Sequence, residues 1–170
     1  LRNFNLRGKV VVGANGAGSA AVGILYSSNI VISNGAYLDT PVTYAQGSDP
    51  NNAAPWRIRG SSNVIISDIR IPALISGGVS QGVLVNIHSA RNIIMRNWYC
   101  LSVVGILVRL NTNAQRCVIE NNYIVMNGAT PTGVIATLNS ENSITGNMII
   151  GNDATAGNQY MNGQTTGGTA

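Results

Sequence analysis

The chain has 170 residues, enough for one domain with a buried core, and its 45% hydrophobic content argues against disorder. Only 9% of residues are charged, far below the roughly 25% of an ordinary soluble domain. The net charge of +4 is spread along the chain, with no Lys/Arg cluster and no basic helix, so nucleic acid is not an expected partner.

The chain opens at Leu1 directly in strand-like sequence, as expected of a processed or excised piece of a longer protein. It shows no signal peptide. No apolar run reaches the roughly 18 residues of a membrane span, so none is expected. Val and Ile dominate the apolar residues, and Asn and Gly punctuate them. This is the signature of many short strands joined by tight turns.

A repeat then runs along the chain. LRGKVV (6–11) is a weak first copy, followed by ISNGAY (32–37), ISDIRI (66–71), MRNWYC (95–100), IENNYI (119–124) and ITGNMI (144–149). The anchors Leu6, Ile32, Ile66, Met95, Ile119 and Ile144 are spaced by 26, 34, 29, 24 and 25 residues. A second pattern precedes most anchors: GILYSSN (23–29), WRIRGSSN (56–63), GVLVNIHSARN (82–92), GILVRLNTNAQR (105–116) and GVIATLNSEN (133–142). A unit of this length with two or three short strands cannot bury its apolar side alone. Stacking units at the strand spacing of about 4.8 Å buries a continuous core and satisfies the backbone. The expected fold class is all-β, a right-handed parallel β-helix solenoid of about six coils over residues 1–150.

Alternation assigns the interior. Ile30/Ile32, Val64/Ile66, Ile93/Met95 and Cys117/Ile119 are expected to form one set of columns. Val83/Val85/Ile87, Ile106/Val108/Leu110 and Val134/Ala136/Leu138 form another. Asn34, Asp68, Asn97 and Asn121 fall at one bend position, with Gly8 and Gly146 at its ends. Asn and Gly tolerate left-handed backbone there, and stacked amides can bond along the column. Two stretches break the period. Residues 38–56 insert a loop, and residues 151–170 turn polar and Gly/Thr/Asn-rich, as a worn last coil or a C-terminal extension.

The G-[IV]-x-[LVI]…S-x-N and I-x-N-N-x-I patterns are similar to the parallel β-helix repeat of the pectin-lyase-like superfamily. The resemblance covers roughly residues 1–150, and a bacteriophage tailspike or fibre segment is its nearest type. It implies the fold more than an activity, because that fold hosts many functions. No leucine-rich L-x-x-L-x-L-x-x-N run recurs.

Chemistry on such a scaffold needs outward groups. Glycoside hydrolysis needs two carboxylates, and lyase chemistry needs a carboxylate cluster for Ca²⁺ with a base beside it. The outward positions carry a single acid, Glu120, expected one coil above Arg96 as an ion pair. Asp39 and Asp49 read as turn residues and Asp68 as a bend residue. No catalytic residue carries over from the resemblance. Cys100 and Cys117 lie in apolar patterns without metal spacing, so free buried thiols are expected, a disulfide being the alternative. No metal and no cofactor is expected.

A polar stripe remains. Arg57, Arg59, Asn86, His88, Arg109 and Asn111 are expected to face outward and hold a glycan through planar donors. Tyr44 and Trp56 in the insertion could supply stacking faces. Leu84, Leu107 and Ile135 are expected to form an outward apolar ladder that lies in a subunit contact or under an ordered segment of the chain; with the resemblance, the first arrangement implies a homotrimer. The resulting expectation is a structural, receptor-binding β-helix of a phage virion contacting host-surface polysaccharide, located on the virion surface or secreted. The alternative is the core of a secreted polysaccharide lyase or glycoside hydrolase. An adhesin or autotransporter passenger segment is a third reading.

Overall fold

The computed structural model describes residues 1–7, 11–12, 20, 22–38, 42–44, 54, 56–71, 74–76, 83–103, 106–111, 113–126, 135–137, 141–150 and 161–163. Wherever Val and Ile alternate with Ser, Asn or Arg, the chain is extended. The strands in order are β1 (Arg2–Arg7), β2 (Val11–Val12), β3 (Val22–Leu25), β4 (Ser28–Leu38), β5 (Val42–Tyr44) and β6 (Trp56–Arg59). Then come β7 (Ser62–Ile71), β8 (Leu74–Ser76), β9 (Val83–His88), β10 (Arg91–Arg96), β11 (Tyr99–Val103) and β12 (Ile106–Leu110). The last are β13 (Val118–Glu120), β14 (Tyr123–Met126), β15 (Ile135–Thr137), β16 (Ser143–Thr145), β17 (Met148–Ile150) and β18 (Met161–Gly163). The described residues contain no helix.

Among the described residues every strand pair in the two sheets is parallel, and each joins one repeat to the next. The larger sheet runs β4–β7–β10–β13–β16, with β11, β14 and β17 continuing beside it. The second sheet has the order β18-β15-β12-β9-β6-β3. The expected spacings recur as ladder offsets: Ile32 pairs with Ile66, Ile66 with Met95, Met95 with Ile119 and Ile119 with Ile144. The protein is thus all-β and built on in-register parallel sheets.

The inward rows follow alternation. Val64, Ile66, Ile93, Met95, Cys117 and Ile119 are at most 1% exposed, and Ile32 is 6% exposed. Each such side chain contributes about 1.5–3 kcal/mol on burial. Two tryptophans close the middle of the core, Trp56 and Trp98 meeting edge-on with ring centroids 5.2 Å apart.

The bends are where the chain leaves ordinary strand geometry. Asn34, Asp68, Asn97 and Asn121 share one column with φ of 55°, 59°, 57° and 53°. Asn97 Nδ2 donates to Asp68 Oδ1 at 3.1 Å, and Asn34 Nδ2 donates to Asn3 Oδ1 at 3.2 Å. Gly146 ends the column at φ 63°, and the Asn121 side chain sits where a Cβ on Gly146 would stand. A second column, Asn29, Asn63 and Asn92, is also left-handed, with amide bonds of 3.2 and 2.9 Å between neighbours. Inside the bend, the Trp98 backbone N–H donates to Asn122 Oδ1 at 2.9 Å. Asn122 Nδ2 in turn donates to Asn147 Oδ1 at 2.8 Å.

Three expectations change. The first bend member is Asn3, because Arg2 pairs with Ser33 and Phe4 with Gly35; Leu6 lies opposite Tyr37 and is not the counterpart of Ile32. Gly8 lies outside the described residues. Inside the stretch expected to be a plain loop, Val42–Tyr44 forms β5 and pairs with β2 and β8. In the second sheet the last repeat is displaced by one residue: Ile135, not Val134 or Ala136, pairs with Val108. In the C-terminal segment, β18 pairs with β15 and extends that sheet.

The bend column predicts a stability effect. Asn97→Leu forces a γ-branched residue into left-handed backbone and removes the bond to Asp68, so it should destabilise by about 1–3 kcal/mol. Asn97→Gly keeps the backbone and should lose less. Chemical denaturation of both variants checks this, and equal midpoints for Leu and wild type would contradict it.

Candidate functional site

The polar stripe expected on the second sheet is there in register but not open. Arg57 pairs with Asn86, and Asn86 with Arg109. Arg57 is 8% exposed, Asn86 1% and Asn111 3%, and Asn111 Nδ2 donates to Asn86 Oδ1 at 2.8 Å. Arg57, Asn86 and Arg109 are all engaged within the chain. Arg59 and His88 are neighbours in register and half-buried. His88 Nδ1 lies 3.0 Å from Ser89 Oγ. No carboxylate among the described residues orients the imidazole, as a general base would need. Trp56 is 0% exposed and belongs to the core, so it offers no stacking face. The side chain of Tyr44 lies outside the described residues.

Leu84, Leu107 and Ile135 are each 0% exposed within a single chain. They form no bare ladder, as expected of side chains that lie under another segment of the chain. The reason is a property of parallel sheets. Such sheets are commonly covered on both faces, and their strands read as continuous apolar runs. β9 is buried at five of its six residues. Ile135 is buried for a further reason, since its register places it in the row of Val108.

The larger sheet carries the open site. One outward row contains Ala36, Arg70, Tyr99 and Tyr123, each paired with the next. The Tyr99 and Tyr123 rings are stacked with centroids 4.9 Å apart and planes 9° apart. Arg70 Cζ sits 5.9 Å from the centroid of Tyr99, so the guanidinium caps the free face of that ring. The left-handed column runs alongside. Asn34, Asp68, Arg70, Asn97 and Tyr99 line an open groove of about 440 Å³ across successive repeats. Its floor is backbone and short side chains (Gly35 and Ala36). The fourth residue after each anchor varies along the repeat. That position holds Ala36, Arg70, Tyr99 and Tyr123, and its run of large planar groups was the available signal.

Arg96 and Glu120 pair in register, their nearest atoms 4.0 Å apart with both side chains partly exposed, as expected from the sequence. Such a pair contributes under about 1 kcal/mol. Asp68 is held by Asn97. No cluster of three metal-ligating side chains occurs among the described residues. Asp39, Asp49 and Asp153 lie outside them. Both cysteines are free and buried. Burial pushes the Cys100 thiol far up, and pushes Cys117 up to about 11 against a smaller opposing effect of the Ile93 backbone. Burial thus favours the thiol form at both positions, and a thiol reacts far more slowly than a thiolate.

Comparison with protein-family models, with curated proteins and with solved structures found no match.

The thiols give a prediction at this point. At pH 8 in native protein, iodoacetamide should leave both cysteines unmodified over a time that fully labels denatured protein. Mass spectrometry reads the outcome, and rapid native labelling at Cys117 would contradict the buried register of that strand.

Proposed function

We propose that the chain is a right-handed parallel β-helix that binds polysaccharide along the groove beside Arg70 and Tyr99. In this reading it serves as a rigid recognition scaffold of a phage tailspike or fibre, on a virion surface or in a secreted protein. The repeat spacing, the parallel ladders and the resemblance of the repeat support the fold. The groove itself carries the functional reading. It is open, polar and continuous over several repeats, and its side chains are planar hydrogen-bonding groups.

The chemistry suits a hydroxylated chain. Arg70 offers a fork of donors that can bridge adjacent sugar oxygens. Asp68 has a second carboxylate oxygen beyond the one that Asn97 uses, and ionised acceptors make the stronger hydrogen bonds. The Tyr99 ring faces are already covered by Arg70 and Tyr123. Tyrosine therefore contributes ring edges and hydroxyl groups here and does not stack flat on a sugar. Such a site is expected to gain affinity by repetition along the polymer and to hold single sugars weakly.

Calorimetric titration with a panel of neutral and capsular polysaccharides tests this. Arg70→Ala should weaken the best ligand by about tenfold, the value of one charge-assisted hydrogen bond. Arg96→Ala, outside the groove, should change little. Binding that ignores Arg70→Ala, or no binding to any polymer, would contradict the reading. Shortening of the polymer during the titration would move it to the lyase or hydrolase alternative.

A further inference from the structure

The larger sheet has another outward row, on the near side of the left-handed bend at Asn34, Asp68, Asn97 and Asn121. It holds Val31, Ile65, Ile94 and Val118, each paired with the next. Alternation turns these four away from the core, since Ile32, Ile66, Met95 and Ile119 beside them are buried. Val31 is 43% exposed, and the other three are partly exposed. The next member of the row is Ser143, which ends the apolar run.

The two sheets differ here. The second sheet covers its outward Leu84 and Leu107 within the chain, whereas none of the four outward residues of the larger sheet is buried. Parallel sheets are commonly covered on both faces, and a contiguous apolar row left open marks a contact surface. All four side chains are β-branched and stiff, so little rotamer freedom is lost when they are covered.

The charges beside the row select its occupant. The neighbouring outward row is Ser33, Ser67, Arg96 and Glu120, and its two charges are opposite and adjacent, 4.0 Å apart. A second copy related by a two-fold axis along the strands, midway between β7 and β10, brings like rows face to face and reverses the order of the repeats. Val31 then meets Val118 of the second copy and Ile65 meets Ile94, so the whole apolar row is covered. In the charged row Glu120 meets Ser33 and Arg96 meets Ser67, and no like charges are opposed. A two-fold axis along the stacking direction, set between the two rows, instead lays Arg96 and Glu120 over Ile94 and Val118 of the other copy. There neither charge finds a polar group to replace water.

We propose that this face joins two copies of the chain in an antiparallel dimer, with the two-fold axis along the strands between β7 and β10. One self-complementary face closes such a pair and leaves no site for further growth. Facing sheets pack about 10 Å apart with their strands within about 30° of aligned, which a row of Val and Ile can fill. Arg70 and Tyr99 lie past the bend in a different row, so the inference does not rest on the polysaccharide reading.

Sedimentation equilibrium of the whole chain should give twice the mass of one chain. Ile94→Asp sets a carboxylate in the centre of the contact and should raise the dissociation constant at least about tenfold. Met148→Asp places the same charge on an outward residue past the bend, 58% exposed, and should leave the dimer intact. Circular dichroism of each variant confirms folding. Orientation is read by cross-linking in protein with Cys100 and Cys117 replaced by Ala. A short bismaleimide should bridge a mixture of Val31→Cys and Val118→Cys chains, but neither variant alone, because each Val31 stands three strand spacings, about 14 Å, along the stack from its symmetry mate. A chain that stays monomeric up to its solubility limit, a trimer, a dimer that survives Ile94→Asp in folded protein, or efficient bridging of Val31→Cys alone would overturn the proposal.

Discussion

The structure depends on one constraint: successive repeats must turn at the same residue, so that their strands meet in register and parallel. Left-handed backbone at the bend enforces it. An L-residue there costs roughly 1–2 kcal/mol, and Asn, Asp and Gly bear it most readily. Asn adds a second property, because its amide can donate to the neighbour below and accept from the one above. The chain uses both in the Asn29–Asn63–Asn92 column, where the bonds run from repeat to repeat. A slip by one residue would break those bonds and turn every inward Val and Ile to the outside.

The apolar rows supply most of the stability and the polar columns supply the register. Val64, Ile66, Ile93 and Met95 would pack in several arrangements if volume alone mattered. The buried amides do not allow that freedom. Asn122 and Asn142 each have a specific backbone N–H to accept from, Trp98 and Cys117 respectively. Moving either would leave buried polar groups without partners, at a cost of about 1–3 kcal/mol each. The same rigidity serves recognition. Side chains such as Arg70 and Tyr99 stand on strand residues, where their backbone is fixed before any ligand arrives, and preorganisation of this kind lowers the entropic cost of binding.

Much of the fold was legible in the sequence because the signal was periodic. The anchors from Ile32 to Ile144 give the ladder offsets, and the Asn34–Asn121 column was visible as a repeated polar residue two places after each anchor. The N-terminal copy misled because LRGKVV imitates the pattern, although LRNFNL (1–6) fits it better, with Leu1 as the anchor and Asn3 at the bend. The candidate site was less legible. The stripe of Arg57, Asn86 and Asn111 was assigned to the surface on the assumption that one sheet face meets water. Alternation tells which side chains share a face, but not whether that face is covered. Leu84 and Leu107 are covered within the chain, and the unbroken VLV and ILV runs that hold them are themselves a mark of strands buried on both sides. Arg70, Tyr99 and Tyr123 were overlooked because a position that varies in residue type carries no repeat signal, even where its occupants share one outward row.

The in-register parallel stack is the claim on which the groove and the apolar face rest, and paired disulfides test it directly. Ile65 pairs with Ile94 and Ser67 with Arg96, at the same offset along the same two strands. Parallel neighbours stand about 4.8 Å apart, within reach of a disulfide. In protein with Cys100 and Cys117 replaced by Ala, the double variants Ile65→Cys/Ile94→Cys and Ser67→Cys/Arg96→Cys should both oxidise to an intramolecular bridge. Ile65→Cys/Met95→Cys should not, since those side chains point to opposite faces. Closure of only one of the first two pairs would indicate antiparallel or shifted strands and would contradict the account, as would efficient closure of the third.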